Sequence, residues 1–360
     1  MVQAVVKGSF ILQGKAEKYP DIHVFNSVEE LINSGEIDAV IIATPHRFHS
    51  HIATYALQKG INVLVEKPVD ITVTKAKALN ETAQKSGKVF GIMFNQRTNS
   101  LFCKARDIVK SGKLGKLKRS VWIVTNWYRT QAYYDSGDWR ATWSGEGGGV
   151  LLNQAPHNLD IWQWICGMPI KVRAICEVAK YHDIEVEDDA IINAIFPNGA
   201  TGTFITSTGE CPGTNRLEIS GTLGKIVLEN NLLKWWKLSQ NEETVRLNSK
   251  EHFTSIDAEY LELKPTTEET AHKGILQNFT NAVLFGEELI APGYDGINEL
   301  TISNAAYLSS WNGGKEIEIP FDTDEFDRLL SERMKNSTHH DNTGKTITSD
   351  GYSARWDVRW

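Results

Sequence analysis

Paired cysteines are missing from this chain. Cys103, Cys166, Cys176 and Cys211 form no C-x-x-C spacing. That argues against a zinc ribbon or a dithiol centre and for four small buried hydrophobes in a reducing compartment. Long apolar runs are missing too, and none reaches the roughly 18 residues of a membrane-spanning helix. There is no excess of positive charge. The 38 Lys and Arg stand against 45 Asp and Glu, a net charge of −7, which argues against nucleic acid or an anionic membrane as partner. The opening "MVQAVVKGSF" lacks a basic region followed by a long apolar one, so a cytoplasmic protein is expected. No internal repeat is found. What is present, 41% hydrophobic and 23% charged residues over 360 positions, suits a globular chain with room for two domains.

From Val24 to Met93 a beat recurs. "SVEELINSG" reads as a helix, with Ser27 as cap, Glu30 three residues on and Gly35 at its end. "DAVIIAT" is a continuous apolar run, expected as a strand covered on both faces. "FHSHIATYALQKG" returns to helical spacing and closes at Gly60. "INVLV" is a strand, "TVTKAKALNETAQKSG" a helix and "KVFGIMF" a strand. Strands alternating with helical crossovers predict a parallel α/β sheet. After residue 98 comes the helix "SLFCKARDIVKSG" and then the aromatic stretch "LKRSVWIVTNWYRT". A further helix begins near Ala155. Strand segments between Ile170 and Leu263 are joined by turns, with Asn198-Gly199 as a hairpin signal. They predict an antiparallel sheet and an α+β second domain, closed by two late helices. The expected boundaries are 1–97, 98–335 and a tail over 336–360.

Ligands of open parallel sheets bind beyond the carboxyl ends of the strands. Three such ends carry polar residues: Ala43-Thr44-Pro45-His46, Glu66-Lys67-Pro68 and Asn95-Gln96-Arg97. Together they predict one ligand crevice. Lys67 admits two readings. It is half of a surface Glu-Lys pair, or it holds a substrate hydroxyl and stabilises negative charge on oxygen. A second constellation lies in "GEGGGVLLNQAPHNLDIWQW". Asn153, His157 and Asp160 at i, i+4 and i+7 share one helical face, with Pro156 in its first turn. His157 suits proton transfer near neutrality, Asp160 its orientation, and Asn153 donation to a substrate oxygen. The same spacing also suits a core histidine satisfied by Asp160. "GEGGGV" is not G-x-G-x-x-G. "HRFHSH" lacks an acidic third ligand, and "YHDIEVEDD" reads as a solvated turn, so no metal is expected.

"VLVEKPV", "VIIATPHRFH" and the Asn153-to-Asp160 constellation together resemble the Gfo/Idh/MocA family of nicotinamide-dependent oxidoreductases. The resemblance runs from about Val24 to Asp322. It implies a Rossmann-type parallel sheet domain followed by an α/β domain with an open, mainly antiparallel sheet. That sheet often forms the interface of a homo-oligomer. It implies NAD or NADP as cofactor and hydride transfer from a sugar or glycoside hydroxyl, with C3 the implied position. The catalytic lysine falls on Lys67 and the catalytic histidine on His157. The family's frequent acid four residues before that histidine is Asn153 here, which positions substrate without exchanging a proton. Thr44, Pro45, His49, Glu66, Lys67 and Asn95 match cofactor-lining positions, and Trp139 and Arg140 the loop over the nicotinamide. Trp127, Tyr128, Arg129, Tyr133, Asn153 and Asp160 fall where the sugar binds.

A Rossmann domain opens with a strand, a glycine-rich turn and a helix. Before Pro20 there is room for neither the turn nor that helix. "VQAVV" aligns with the second strand, with Lys7 at its end and "GKAEKYPDI" as the connection after it. The Rossmann domain is therefore expected to be incomplete, its first β-α unit missing, with dinucleotide affinity greatly reduced. A non-catalytic sugar-binding or oligomer-partner protein is the alternative.

Overall fold

The computed structural model describes residues 4–6 and 23–338, apart from 138 and 267–269. The connection after Val6, with Lys7, and most of the expected tail lie outside the described residues.

The first domain alternates as its sequence predicts. β1 (Ala4–Val6) pairs in parallel with β2 (His23–Phe25). Helix α1 (Val28–Asn33) starts at Ser27, whose hydroxyl accepts from the Glu30 N–H at 3.1 Å, while Glu30 accepts from the Asn26 N–H at 3.0 Å. This resembles a capping box, with Glu30 reaching back to the N–H of the residue before the cap. β3 (Ala39–Ile42), α2 (His49–Gln58), β4 (Asn62–Val65), α3 (Val73–Ser86) and β5 (Phe90–Ile92) follow. The last three strands form a parallel sheet in the order β3-β4-β5. Among the described residues, β1-β2 is a separate two-stranded sheet. β4 and β5 are covered on both faces, but β3 is not: Ile41 is 46% exposed and only Ile42 is buried. The expectation of a doubly covered strand fails there because, among the described residues, the face that carries Ile41 is left half open.

The second domain begins with α4 (Ser100–Lys110), β6 (Leu117–Val124), α5 (Gln131–Tyr134), α6 (Val150–Asn153) and α7 (Pro156–Cys166). β7 (Lys171–Val178), β8 (Glu187–Ile195), β9 (Thr201–Ser207), β10 (Asn215–Gly221), β11 (Gly224–Glu229) and β12 (Leu232–Leu238) are the predicted strands. Helix α8 (Glu242–Asn248), β13 (Ala258–Leu263), α9 (Ala271–Phe285), α10 (Gly296–Trp311), β14 (Ile317–Glu318) and α11 (Thr323–Lys335) complete it. Nine strands form one sheet in the order β13-β12-β11-β10-β6-β9-β8-β7-β14. Among the described residues every pair is antiparallel except β6 with β9, so this is the open, mainly antiparallel sheet that was expected. The hairpin signal at Asn198-Gly199 does join β8 to β9, with Gly199 at φ +81°.

Residues alternate across this sheet. One face buries Trp122, Phe204, Leu217 and Ile192. Trp162 of α7 lies on that face, tilted against Phe204 and donating from its indole to the Ser120 hydroxyl at 2.8 Å. A Cβ at Gly202 would come within 2.6 Å of the Trp162 ring, so only glycine lets α7 sit this close. α7 carries His157, so this packing sets the depth of the site. α10 binds the two domains together. Asn304 accepts from the Val73 N–H and donates to the Ile71 carbonyl, at 3.1 and 3.2 Å. The late helix α11 went unread. Its cap is Asp322, which accepts from the Asp324 and Glu325 N–H groups. Of the cysteines, Cys103, Cys166 and Cys176 are partly buried, but Cys211 is exposed, against expectation.

Candidate active site

Lys67 leaves the end of β4 and reaches the second domain. Its ammonium donates to the Asn153 carbonyl at 2.6 Å. Glu66 is not its surface partner; that carboxylate accepts from the Lys67 backbone N–H at 3.3 Å. The surface-pair reading therefore fails, because the side chain crosses between domains.

Asn153 and His157 do not share one continuous helix. The chain turns at Gln154-Ala155, α6 ends at Asn153, and Pro156 opens α7. The Asn153 backbone carbonyl accepts from Lys67, while the His157 imidazole lies within electrostatic reach of it. His157 is 8% exposed. Burial and the positive Lys67 hold its pKa well below the usual imidazole value, with His272 adding to the effect. The ring is therefore neutral near pH 7 and able to take a proton.

Asp160 belongs elsewhere. Its two oxygens accept from Arg97 Nε and Nη2 at 2.8 and 2.7 Å, and Gln163 donates to it at 2.9 Å. It is fully buried. The expectation that it binds sugar or orients His157 is corrected: the side chain one turn past His157 faces Arg97, and its lone pairs are occupied by that pair.

The candidate cofactor residues line the ends of β3, β4 and β5. His49 is buried, its Nδ1 at 2.7 Å from the Pro68 carbonyl and its Nε2 at 2.7 Å from the Thr44 carbonyl. It ties two strand ends together rather than facing a ligand, and burial lowers its pKa. Pro45 starts the turn His46–Phe48. The Asn95 amide donates to His272 Nδ1 at 3.3 Å. The Thr44 hydroxyl and the Asn95 side-chain oxygen Oδ1 are buried with no hydrogen-bond partner. Two orphaned polar atoms, at the ends of β3 and β5 on either side of β4, fit the amide and ribose of a nicotinamide nucleotide. Among the described residues there is no glycine-rich turn for its phosphates. Trp139 packs edge-on to His46 at 6.3 Å, and the Arg140 guanidinium covers the Trp139 ring at 4.5 Å.

The aromatic candidates form one wall. The Arg129 and Arg140 guanidinium groups both lie over the Tyr133 ring, at 5.1 and 4.7 Å. Tyr128 is 50% exposed, whereas Trp127 is buried. Arg129 donates to the Trp127 and Tyr128 carbonyls at 3.0 and 2.9 Å, which holds the strand exit in place.

Glu146, Glu299 and His272 escaped the sequence reading, and Glu187 lies in "YHDIEVEDD", whose reading as a solvated turn is corrected: Glu187 and Asp188 are buried on β8. Glu146 accepts from the Ala141 N–H at 2.6 Å and from the Asn153 amide. Glu187 accepts from the Gly149 and Leu151 N–H groups, both at 2.9 Å, and from the Tyr307 hydroxyl at 2.6 Å. Burial raises each to about 7. Glu299 is fully buried with neither oxygen hydrogen-bonded, and burial pushes it well above the usual range. His272 adjoins Asn95. A glutamate in "GEGGG" and a histidine at a helix start were the available signals. The glycines of "GEGGG" serve packing. A Cβ at Gly148 would lie 2.2 Å from the Tyr307 hydroxyl, and one at Gly149 1.9 Å from the Glu187 carbonyl oxygen.

An uncharacterised oxidoreductase of Schizosaccharomyces pombe is 30% identical over 224 residues, 60% of each chain. The scyllo-inositol 2-dehydrogenase (NAD(+)) of Bacillus subtilis is 24% identical over 302 residues, 79% of this chain and 78% of that one. For several curated relatives the matched part is shorter, 36% to 60% of their length. The WlbA dehydrogenase of Bordetella pertussis, solved with NADH and UDP-GlcNAcA, shares the fold. Its TM-score is 0.73 at 24% identity, over 89% of this chain and 91% of that one. Residues 3–94 match the oxidoreductase family model for an NAD-binding Rossmann fold, and residues 102–227 match the GFO/IDH/MocA C-terminal domain. With both halves matched in order, this chain belongs to the Gfo/Idh/MocA oxidoreductase family.

Proposed function

We propose that the chain is a nicotinamide-dependent dehydrogenase that oxidises a hydroxyl of a sugar or polyol. The observation that carries this reading is the meeting of Lys67, from the end of β4, with the Asn153–His157 turn of the second domain. In oxidation the neutral His157 takes the hydroxyl proton, and the Lys67 ammonium stabilises the oxygen as charge develops. Asn153 positions the hydroxyl. Thr44, Pro45, Glu66 and Asn95, with Trp139 and Arg140 above, would hold the nicotinamide end of NAD or NADP. When bound, that cofactor supplies the hydride acceptor. The rings of Tyr128 and Tyr133 stack on the C–H face of a sugar and Arg129 meets its hydroxyls, while the buried Trp127 supports them from behind. C3 oxidation belongs to this reading, as does a homo-oligomer built through the open sheet face. A row of Ile175, Ile191, Ile205 and Ile123 crosses four strands on that face, and Ile175 is 54% exposed, which supports the oligomer.

The test is nicotinamide reduction by the purified chain with scyllo-inositol, 1,5-anhydro sugars and levoglucosan, using NAD and NADP in turn. Lys67→Ala and His157→Ala should each lower kcat/KM by about 10²- to 10⁴-fold. In the wild type, activity should persist well below pH 6.5, because His157 becomes charged only at lower pH. Unchanged kcat/KM in either variant would sink the assignment.

A further inference from the structure

Glu146 stands at the junction of the elements that build the site. It is 1% exposed. Its backbone carbonyl faces His46 Nδ1 at 3.2 Å, and its N–H donates to the Thr142 carbonyl at 3.0 Å. One side-chain oxygen accepts from the N–H of Ala141, a residue held at φ +53° directly after Trp139 and Arg140. The other accepts from the Asn153 amide nitrogen. An ionised carboxylate can only accept. It therefore dictates which end of the Asn153 amide faces it. The same nitrogen lies 3.4 Å from the Tyr133 hydroxyl, so both of its hydrogens are directed at protein partners. The carbonyl oxygen Oδ1 is the end of the amide left for a ligand. This reverses the expectation that Asn153 donates to a substrate oxygen.

A proton on Glu146 changes the choice. A carboxyl O–H is a donor, and its match in Asn153 is Oδ1. The amide then turns over and offers N–H to the ligand. The groups facing this carboxyl are few. Arg140 lies 3.9 Å away and Lys67 is within electrostatic reach, and both favour the ionised form. Tyr134 interacts with it as a nearby acid, and His46 meets its backbone. Burial opposes the two cations and brings the proton within reach near pH 7.

We propose that Glu146 is a positioning residue that sets the orientation of the Asn153 amide, so that this one side chain accepts from a substrate hydroxyl when Glu146 is ionised and donates to it when Glu146 is protonated. The substrate part of this inference rests on the dehydrogenase reading above; the orientation of the amide does not.

Two readouts keep them apart. The first is the NMR signal pair of the Asn153 side-chain amide in the full chain, assigned by its loss in Asn153→Asp. The signals should shift with a midpoint near pH 7, and Glu146→Gln should abolish the shift. Signals that stay fixed across this range, or that move equally in Glu146→Gln, overturn the proposal. The second is oxidation of scyllo-inositol with NAD. Glu146→Gln should lower kcat/KM about 10-fold and remove the pH dependence near 7. Adding Asn153→Asp to Glu146→Gln exchanges donor and acceptor across the contact and should restore kcat/KM to within about 3-fold. A double variant no better than Glu146→Gln overturns the proposal. An inactive wild type with a titrating amide would remove the dehydrogenase reading and leave the amide switch standing. If Glu146→Gln does not fold, Asn153→Asp alone decides. Two carboxyls then face each other, so the folded state holds an extra proton and the melting temperature should fall more steeply with rising pH than in the wild type. Parallel curves would again overturn the proposal.

Discussion

Replacing Arg97 by methionine tests what joins helix α7 to the first domain. The guanidinium makes two bonds to Asp160 and a third to Asp295 at 2.6 Å. The Arg97 and Asp160 side chains are 1% and 0% exposed. Methionine keeps much of the stem and removes the charge. Asp160 is left buried, with Gln163 as its remaining donor. Removing one partner of a buried pair costs about 3–5 kcal/mol. Desolvation already holds the Asp160 carboxyl above its ordinary value with Arg97 against it. Without Arg97 it rises further, and the folded state takes up a proton rather than bury a lone charge. Folded protein then binds more protons than unfolded protein at every pH between the two pKa values. Stability in Arg97→Met therefore falls as pH rises through this window, by up to about 1.4 kcal/mol per pH unit. Urea unfolding followed by tryptophan fluorescence at three pH values measures this directly. Adding Asp160→Asn removes the buried charge and should flatten the pH dependence while recovering part of the loss. A cost below about 1 kcal/mol, or one that ignores pH in both variants, would refute the reasoning.

Glu187 has a folded pKa of about 7 against an ordinary 4.5, so its ionisation opposes folding and stability falls as pH rises between those values. Glu187→Gln should be less stable than wild type at low pH because one N–H loses its acceptor, and thermal melts should show that deficit shrink by about 3 kcal/mol from pH 5 to pH 8. A deficit independent of pH would mean that Glu187 does not titrate there. Gly149→Ala forces a Cβ to within 1.9 Å of the Glu187 carbonyl oxygen and should cost about 3 kcal/mol, read as a lowered urea midpoint. A wild-type midpoint would show that α6 can shift without loss.

The βαβ beat was legible because its signals are local. Ser27 with Glu30 caps α1, glycines at positive φ follow α1, α2 and α3, and β4 is an unbroken apolar run. The polar ends of the strands were legible for the same reason, and they carry Lys67, Thr44 and Asn95. The parallel pairing of β6 with β9 was not, since those strands are about 80 residues apart and each reads the same with either neighbour. The break between α6 and α7 was hidden as well, because the helical period of Asn153, His157 and Asp160 continues through it.

Residue type and spacing determined by themselves that Lys67 ends a buried strand and that a histidine opens a helix behind a proline. Which charges meet was decided only by the tertiary structure. Asp160 faces Arg97, 63 positions away, and Lys67 reaches the Asn153 carbonyl, 86 positions away. Glu146 and Glu187 read as ordinary acids among ordinary neighbours. Burial and the loss of water that comes with it, outweighing the backbone N–H groups that favour the ionised form, turned them into carboxyls that titrate near neutrality. Desolvation is a property of the packed fold, and no short stretch of sequence records it.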